Sequence, residues 1–265
     1  MNTKVLFSSP TVKVSDFWCD PGHVPDSDLE VEPAFGVSFP RAGVYVHHTA
    51  GGTIVVDPTV AVFRSAGDEQ VTTHPSDHGD RNTELQFPLE VVGPLLNNRD
   101  RFRMQTAPIS EAVTARHCRL LRRLHQGLVA NPLEIEEEAL SLLAIVYRTE
   151  PNPKVSMAQQ KVVDETRQFL AGRFRDDLDL VTVAEAVGSS PFHLSRTFKK
   201  ATGKSITEHR TALRVRFVID RLASGDDDLG RLAVEAGFYD HAHMTHVFRR
   251  RLGSPPSQLR VWITT

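Results

Sequence analysis

The sequence predicts an α+β protein: a strand-rich N-terminal part, a pair of helices and an all-α C-terminal part. Residues 1–105 contain short runs of Val, Thr and Phe bounded by Gly, Pro and Asp, which is typical of strands. Residues 106–150 carry apolar residues at spacings of three and four, which is the helical period. Residues 151–265 contain the same helix–turn–helix segment twice. We therefore expect three domains with these boundaries.

Composition narrows the class of protein. The chain has 265 residues, a net charge of −2 and two cysteines, so a disulfide scaffold is excluded and the cytoplasm is the expected location. No apolar run approaches the roughly 18 residues that a membrane helix needs, so no membrane association is expected. Residues 1–153 hold 13 Lys+Arg against 20 Asp+Glu, whereas residues 154–265 hold 18 against 13. A basic C-terminal half on an acidic N-terminal half favours a nucleic-acid-binding module.

The N-terminal strands predict a β-barrel or sandwich. Strand-sized runs follow one another at close spacing, without a helical pattern between them. A barrel of this size can hold one small ligand. The runs are 42–48, 52–58, 60–67, 69–75 and 83–92.

The helical pair is predicted over 109–129 and 132–148, with Pro132 at the start of the second helix. The two helices have more apolar surface than a pair needs, and this surface could cover the β domain or form a dimer interface. Leu120, Leu124 and Leu128 fall on one seam of the first helix. We predict a homodimer through this seam.

The C-terminal part repeats one motif. After the break at Pro151 and Pro153, the segments 179–205 and 229–255 each contain a short helix ending at Gly, a turn and a second helix. Each second helix carries Phe followed by two basic residues. A longer helix over 206–225 joins the two copies. In a helix-turn-helix, the second helix places side chains in the DNA major groove, so one chain could read two successive groove segments.

The second copy also contains three histidines, His241, His243 and His246, in the pattern H-x-H-x-x-H. Asp240 can cap a helix that begins at His241. Since each helical residue turns about 100°, His241 and His243 point roughly 200° apart, and only His243 and His246 share a face. A three-histidine metal site on this helix alone is therefore geometrically poor, and a groove-facing role is favoured.

These segments resemble the C-terminal DNA-binding domain of AraC/XylS-type transcription regulators, from about residue 162 to residue 260. The strongest likeness is in "GFYDHAHMTHVFRRRLGSPPSQLR", and "SSPFHLSRTFKKATGKS" resembles the first recognition unit. Two positions depart from the family pattern. Ile206 stands where the family usually has Pro, and His246 stands where it commonly has Arg.

The resemblance implies sequence-specific binding of double-stranded DNA, activation of transcription and contact with RNA polymerase. In the first unit it places Phe192, Ser195 and Arg196 toward bases, with Arg196 suited to a bidentate contact with guanine. In the second unit, the residues that it places toward bases are His241, Ala242, His243 and His246. The residues that it assigns to phosphates are Lys199, Lys200, Arg249 and Arg250. Phe198 and Phe248 lie on the apolar stripes, so we expect them in the core.

The same family commonly has a cupin-type effector-binding barrel, and "VAVFRSAGDEQVTTHP" resembles the second cupin motif. The first motif, H-x-H with a following Glu, is missing. We therefore expect a small-molecule effector of unnamed chemistry, with no metal and no cofactor. The expected pocket residues are Tyr45, Phe63 and Phe87. A metal site would have to combine His47 or His48 with His74, His78 and Glu84; adjacent strand residues face opposite ways, so only one of the first two can contribute.

Two enzymatic alternatives each require a motif that can be looked for in the sequence. A metal-dependent cupin enzyme with a helical DNA-binding appendage would need the metal motif that is missing. A DNA-repair protein with a zinc-dependent alkyl acceptor would need a cysteine cluster, and Cys19 and Cys118 lie far apart in the sequence. The prediction is a regulator that is not an enzyme.

Overall fold

The computed structural model describes residues 2–20, 27–75, 79–97, 99–128, 131–153 and 155–265. The chain forms two compact units, Met1–Pro151 and Asn152–Thr265. The first contains ten strands and three helices among the described residues, and the second contains helices. The predicted α+β fold class is confirmed.

The strands of the first unit form two antiparallel sheets. Their bounds are β1 Asn2–Ser8, β2 Lys13–Cys19, β3 Glu30–Val31, β4 Phe35–Ala42, β5 Tyr45–Thr49, β6 Gly52–Val56, β7 Val60–Arg64, β8 Glu69–Thr73, β9 Asp80–Phe87 and β10 Thr106–Pro108. One sheet has the order β1-β2-β9-β4-β7-β10, and the other has the order β3-β8-β5-β6. The predicted barrel therefore takes the form of two facing sheets.

The six-stranded sheet uses its two faces differently. Along β9, Leu85 and Phe87 belong to the main hydrophobic core, whereas Asp80 and Asn82 face a cavity between the sheets. The same alternation holds on β7, where Phe63 joins the core and Arg64 lines the cavity. Because strand side chains alternate between faces, the odd-numbered residues named here lie in the core and the even-numbered ones face the cavity.

The segment 89–96, whose first residues we predicted as strand, is helical. Helix α1 spans Leu89–Leu96, directly after β9. Pro88 stands at its N-cap, and Glu90 lies in the first turn, where a negative charge favours the helix dipole. Val92 and Leu96 are buried, and their spacing of four places both on one helical face. The run of valines was mistaken for strand because the burial of that face depends on tertiary packing.

The helical pair covers the β domain. Helix α2 spans Glu111–His125 and α3 spans Pro132–Arg148, with Asn131 capping α3 through a 3.0 Å hydrogen bond from the Leu133 amide. Leu120 and Leu124, offered above as a dimer seam, are buried in the core shared with the six-stranded sheet. Only Leu128, 52% exposed, remains outside that core. The interpretation of this seam as surplus surface was wrong for its first two leucines.

The second unit consists of helices α4 to α10. Their bounds are α4 Met157–Arg173, α5 Leu180–Ala186, α6 Pro191–Thr202, α7 Ile206–Ala223, α8 Leu229–Glu235, α9 His241–Leu252 and α10 Pro256–Thr264. α5 packs on α6, and α8 packs on α9. α7 joins the two pairs and begins with a capping box formed by Ser205 and Glu208. None of the helices in the described ranges combines the length and apolarity needed to cross a bilayer.

Candidate nucleic-acid interface and ligand cavity

Helix α6 presents one apolar face to its unit and one polar face to solvent. Ser190 caps it by accepting a 3.3 Å hydrogen bond from the His193 amide, and Gly203 ends it in the left-handed conformation. Leu194, Thr197 and Phe198 are buried. The predicted DNA contacts of this helix are all exposed: Phe192, Ser195, Arg196, Lys199 and Lys200.

Helix α9 repeats this arrangement 50 positions later. Asp240 caps it with a 2.7 Å hydrogen bond from the His243 amide, so the helix begins at His241 as predicted. Gly253 ends it with φ of 75°, against 71° at Gly203. Met244, Val247 and Phe248 are buried, in register with the buried residues of α6. The predicted contacts of this helix are likewise exposed: His241, Ala242, His243, His246, Arg249 and Arg250.

The register makes corresponding residues identifiable. His246 occupies in α9 the position that Arg196 occupies in α6, and Arg249 corresponds to Lys199. Phe198 and Phe248 correspond to each other, and both are fully buried, which places them in the core as expected. On the exposed faces, Lys199 and Arg249 are therefore cations at corresponding positions, whereas Arg196 corresponds to a histidine, His246.

The side chain of His243 is fixed by residues just before the start of α9. Its Nδ1 accepts a 3.4 Å hydrogen bond from the Tyr239 amide, and its ring packs edge-on against Phe238 with centroids 5.6 Å apart. Because Nδ1 is the acceptor, the proton of the neutral ring is on Nε2. His243 can therefore offer a base only a single donated hydrogen bond, whereas His246 keeps both ring nitrogens available.

The first unit holds a cavity of about 330 Å³ between its two sheets. Tyr45 lines it, as predicted for an effector pocket. Phe87 does not: its side chain packs in the main core, on the opposite face of β9. Phe63 is also in that core, and it contributes to a separate depression beside Gln105. The prediction was wrong for Phe63 and Phe87 because both point to the core face of their strands. The sequence alone did not show which face that is.

Charged groups define one wall of the cavity. Arg64 lies 3.1 Å from Glu32, measured from Nη1 to Oε1, and its Nη2 pairs with Glu84. Burial lowers the pKa of Arg64, but Glu84 and Glu32 outweigh it and hold the pKa above its usual range. Burial and the nearby Arg64 charge lower the pKa of His47 to about 3, so its ring is neutral. The positive charge of Arg64 is therefore already paired with the carboxylates of Glu32 and Glu84.

Within the described part of the chain, the candidate metal ligands named from the sequence do not form one cluster. His47 lines the cavity, but His48 is exposed and its Nε2 contacts Thr73 Oγ1 at 3.0 Å. Glu84 is paired with Arg64. His78 lies outside the described residues.

Sequence reasoning missed Cys19, Asp80 and Asn82 as cavity residues. Burial raises the pKa of Cys19 to about 11, and the nearby Asp80 charge adds to the rise. Cys19 and Asp80 are 61 positions apart but face each other across the β2–β9 pair. The strand alternation on β2 could have shown that Phe17 and Cys19 share a face, but no sequence signal paired them with β9.

Comparison with known proteins gives the following likenesses. Residues 183–261 match the model of a family described as a helix-turn-helix domain. MarA of Salmonella typhimurium, a multiple antibiotic resistance protein, is 30% identical over 93 residues, which cover 35% of this chain and 73% of MarA. AdaA of Bacillus subtilis, a bifunctional transcriptional activator/DNA repair enzyme, is 26% identical over 104 residues, which cover 39% of this chain. The chain spans about half of AdaA, 49% of its length.

Among solved structures, that of ToxT from Vibrio cholerae aligns with 96% of this chain and 100% of its own, with a TM-score of 0.39 and 10% identity.

Proposed function

Because this chain belongs to the AraC/XylS-type family of DNA-binding transcription regulators, we propose that it binds double-stranded DNA sequence-specifically through α6 and α9. Its first unit would hold a small-molecule effector that controls this binding. Through this binding, the protein would control transcription from a target promoter in the cytoplasm.

The observation that carries this proposal is the matched exposure of the two helices. Each has 12 residues, a side-chain N-cap and a left-handed glycine C-cap, and three buried positions of α6 correspond to the three buried residues of α9. The face left to solvent carries Phe192 and Ser195 on α6 and three histidines on α9, with cations near both C-terminal ends. A helix in the major groove uses such a face, with its N-terminal residues on base edges.

The proposed contacts divide by chemistry. Lys199, Lys200, Arg249 and Arg250 neutralise phosphates, which fixes the position of the protein without selecting sequence. Arg196 can donate two hydrogen bonds to the O6 and N7 of a guanine. His246, at the corresponding position of α9, can donate only one hydrogen bond when neutral, so it cannot make this two-donor contact. The α6 half should therefore discriminate bases more strongly than the α9 half.

The test of the phosphate contacts is the salt dependence of DNA affinity. Lys199→Ala and Arg249→Ala should each weaken binding to every duplex alike and lower the slope of log affinity against log salt by about one. Lys161→Ala is the matched control, since Lys161 is an exposed cation of the same unit on α4, where it lies 3.8 Å from Glu165. Its slope should equal that of the wild type.

Wild-type slopes for both α6 and α9 variants would remove these helices from the interface. Equal losses in all three variants would indicate only a general effect of charge.

The effector is proposed to bind in the cavity beside Tyr45, because this cavity has the volume and the aromatic wall that a small organic ligand needs. The homodimer and the contact with RNA polymerase rest on the family resemblance. Sedimentation at micromolar concentration tests the dimer, and transcription from a selected promoter with purified polymerase tests activation.

A further inference from the structure

Three metal-ligating side chains converge in the cavity of the first unit. Cys19, His74 and Asp80 each offer one ligand atom, and these atoms lie within 4.8 Å of one another. Cys19 and Asp80 are direct partners across β2 and β9, which places their side chains on the same face. His74 follows the end of β8, in the opposite sheet. The cluster therefore joins the two sheets at the cavity wall.

The polar atoms of this cluster are incompletely satisfied. His74 and Asp80 have side chains only 9% and 7% exposed. Among the described residues, Nδ1 of His74 has no hydrogen-bond partner, and Oδ2 of Asp80 forms an ion pair with Nε2 of His74, 3.0 Å away, without hydrogen-bond geometry. Buried polar atoms without partners are costly in free energy, and a bound ion is one of the ways in which proteins satisfy them.

A second layer of hydrogen bonds orients the carboxylate. Asn82 donates through Nδ2 to Oδ1 of Asp80 at 2.7 Å, and its own Oδ1 accepts from the Tyr45 hydroxyl at 3.0 Å. Oδ1 of Asp80 is thereby occupied, and Oδ2 is turned toward His74. Metal-binding carboxylates are commonly held in this way by outer hydrogen bonds.

We propose that Cys19, His74 and Asp80 bind one zinc ion, with a fourth coordination position open to the cavity. Sulfur, imidazole nitrogen and carboxylate oxygen are the ligand types that zinc takes, and three protein ligands leave a position for water or a small molecule. Ligand atoms of a tetrahedral zinc site lie about 3.3–3.7 Å apart, so side-chain shifts of about 1 Å close the cluster.

The charge balance favours a dication at this place. On binding, the ion replaces the thiol proton of Cys19, which leaves to solvent, so the sulfur binds as thiolate. One thiolate and one carboxylate then neutralise the two positive charges. Glu84, which was weighed as a ligand in the sequence, is instead neutralised by Arg64. This proposal departs from the expectation of a metal-free cavity, and it does not depend on DNA binding by the second unit.

The test uses the full-length chain freed of metal with a chelator and titrated with Zn²⁺ or Co²⁺ in the absence of DNA. We expect one ion per chain and, with Co²⁺, the charge-transfer absorption that reports a thiolate ligand. Cys19→Ser should abolish this absorption. His74→Gln and Asp80→Asn should each lower zinc affinity by more than the roughly 10- to 100-fold loss expected for Asn82→Ala, which removes only the orienting hydrogen bond.

Two variants serve as matched controls. Cys118→Ser removes the other buried cysteine, and His48→Gln removes an exposed histidine of the same sheet; both should bind metal like the wild type. Thermal unfolding of each metal-free variant identifies any that has lost its fold. A folded wild type that binds neither ion stoichiometrically would overturn the proposal, and so would a thiolate signal that survives in Cys19→Ser.

Discussion

At the residue scale, Gly237 shows how one position fixes the turn between α8 and α9. Its φ is 80°, a region that side-chain-bearing residues rarely adopt. A Cβ added there would lie 2.5 Å from the backbone oxygen of Arg175. Gly253 has a similar φ of 75°, but a Cβ there would have no neighbour within 4 Å. A substitution at Gly253 therefore tests backbone strain alone, whereas one at Gly237 tests strain together with a steric clash.

We predict that Gly237→Ala destabilises the second unit more than Gly253→Ala does. The strain alone should cost about 1–2 kcal/mol at Gly253. At Gly237 the displaced backbone of Arg175 should raise the loss to about 3 kcal/mol or more. Urea unfolding followed by circular dichroism measures both. Equal losses at the two positions would mean that the close approach at Gly237 has no energetic weight.

The buried His47 predicts a pH dependence of stability. Its pKa of about 3 in the fold lies below the usual 6.5 of an unfolded histidine. Below pH 6.5 the unfolded chain therefore takes up a proton that the folded chain does not, and stability falls as pH falls. The contribution of His47 is fully present above pH 6.5 and is lost at about 1.4 kcal/mol per pH unit toward pH 3.

His47→Gln should remove this contribution, so its stability curve should be flatter than that of the wild type between about pH 6 and 4. Urea unfolding with chelator present measures the two slopes. Parallel curves would show that His47 does not stay neutral. His48→Gln, at the exposed neighbour, is the control and should follow the wild type.

At the element scale, α2 is a core helix on its leucine face. Leu124 is 8% exposed and belongs to the core under the six-stranded sheet, whereas Leu128 is 52% exposed. An arginine at position 124 would bury an unpaired charge, so Leu124→Arg should destabilise the first unit by about 3 kcal/mol or more. Leu128→Arg should leave stability within about 0.5 kcal/mol of the wild type.

Chemical denaturation of both variants distinguishes the positions. If Leu124→Arg were as stable as the wild type, the burial of this face of α2 in the core would be contradicted, and the dimer interface suggested by the sequence would be favoured. Sedimentation of Leu128→Arg adds a separate result, because a dimer that uses the segment directly after α2 would dissociate in that variant.

Elements were predictable where the sequence signal is local. The cap at Asp240, the helix start at Pro132 and the stripes of α6 and α9 follow from residues within one or two turns, and the structure has them as expected. Helix α1 was missed because its identity depends on which face Val92 buries. Phe63 and Phe87 were placed in a pocket because their strand parity depends on the neighbouring strands.

At the scale of the whole molecule, the two units differ in how many of their candidate site residues can be predicted from the sequence. In the second unit the repeat itself indicates which faces are exposed, so the candidate DNA contacts could be named from the sequence. In the first unit the cavity joins residues from distant strands, as Cys19 and Asp80 show, and only the paired sheets reveal its lining. The candidate zinc cluster could not be assembled from spacing for the same reason.

The central claim, that one chain reads DNA through both α6 and α9, is tested most directly by selecting binding sites from random duplexes with the wild type, Arg196→Ala and His246→Arg at fixed salt. Gln258→Arg, at an exposed position of α10, controls for added charge. The wild type should select two short motifs about 10 base pairs apart, one helical turn. Arg196→Ala should cost about 1–3 kcal/mol and relax one motif, while His246→Arg should sharpen one base pair of the other. Enrichment of no motif by the wild type, or identical motifs from all three proteins, would contradict the claim.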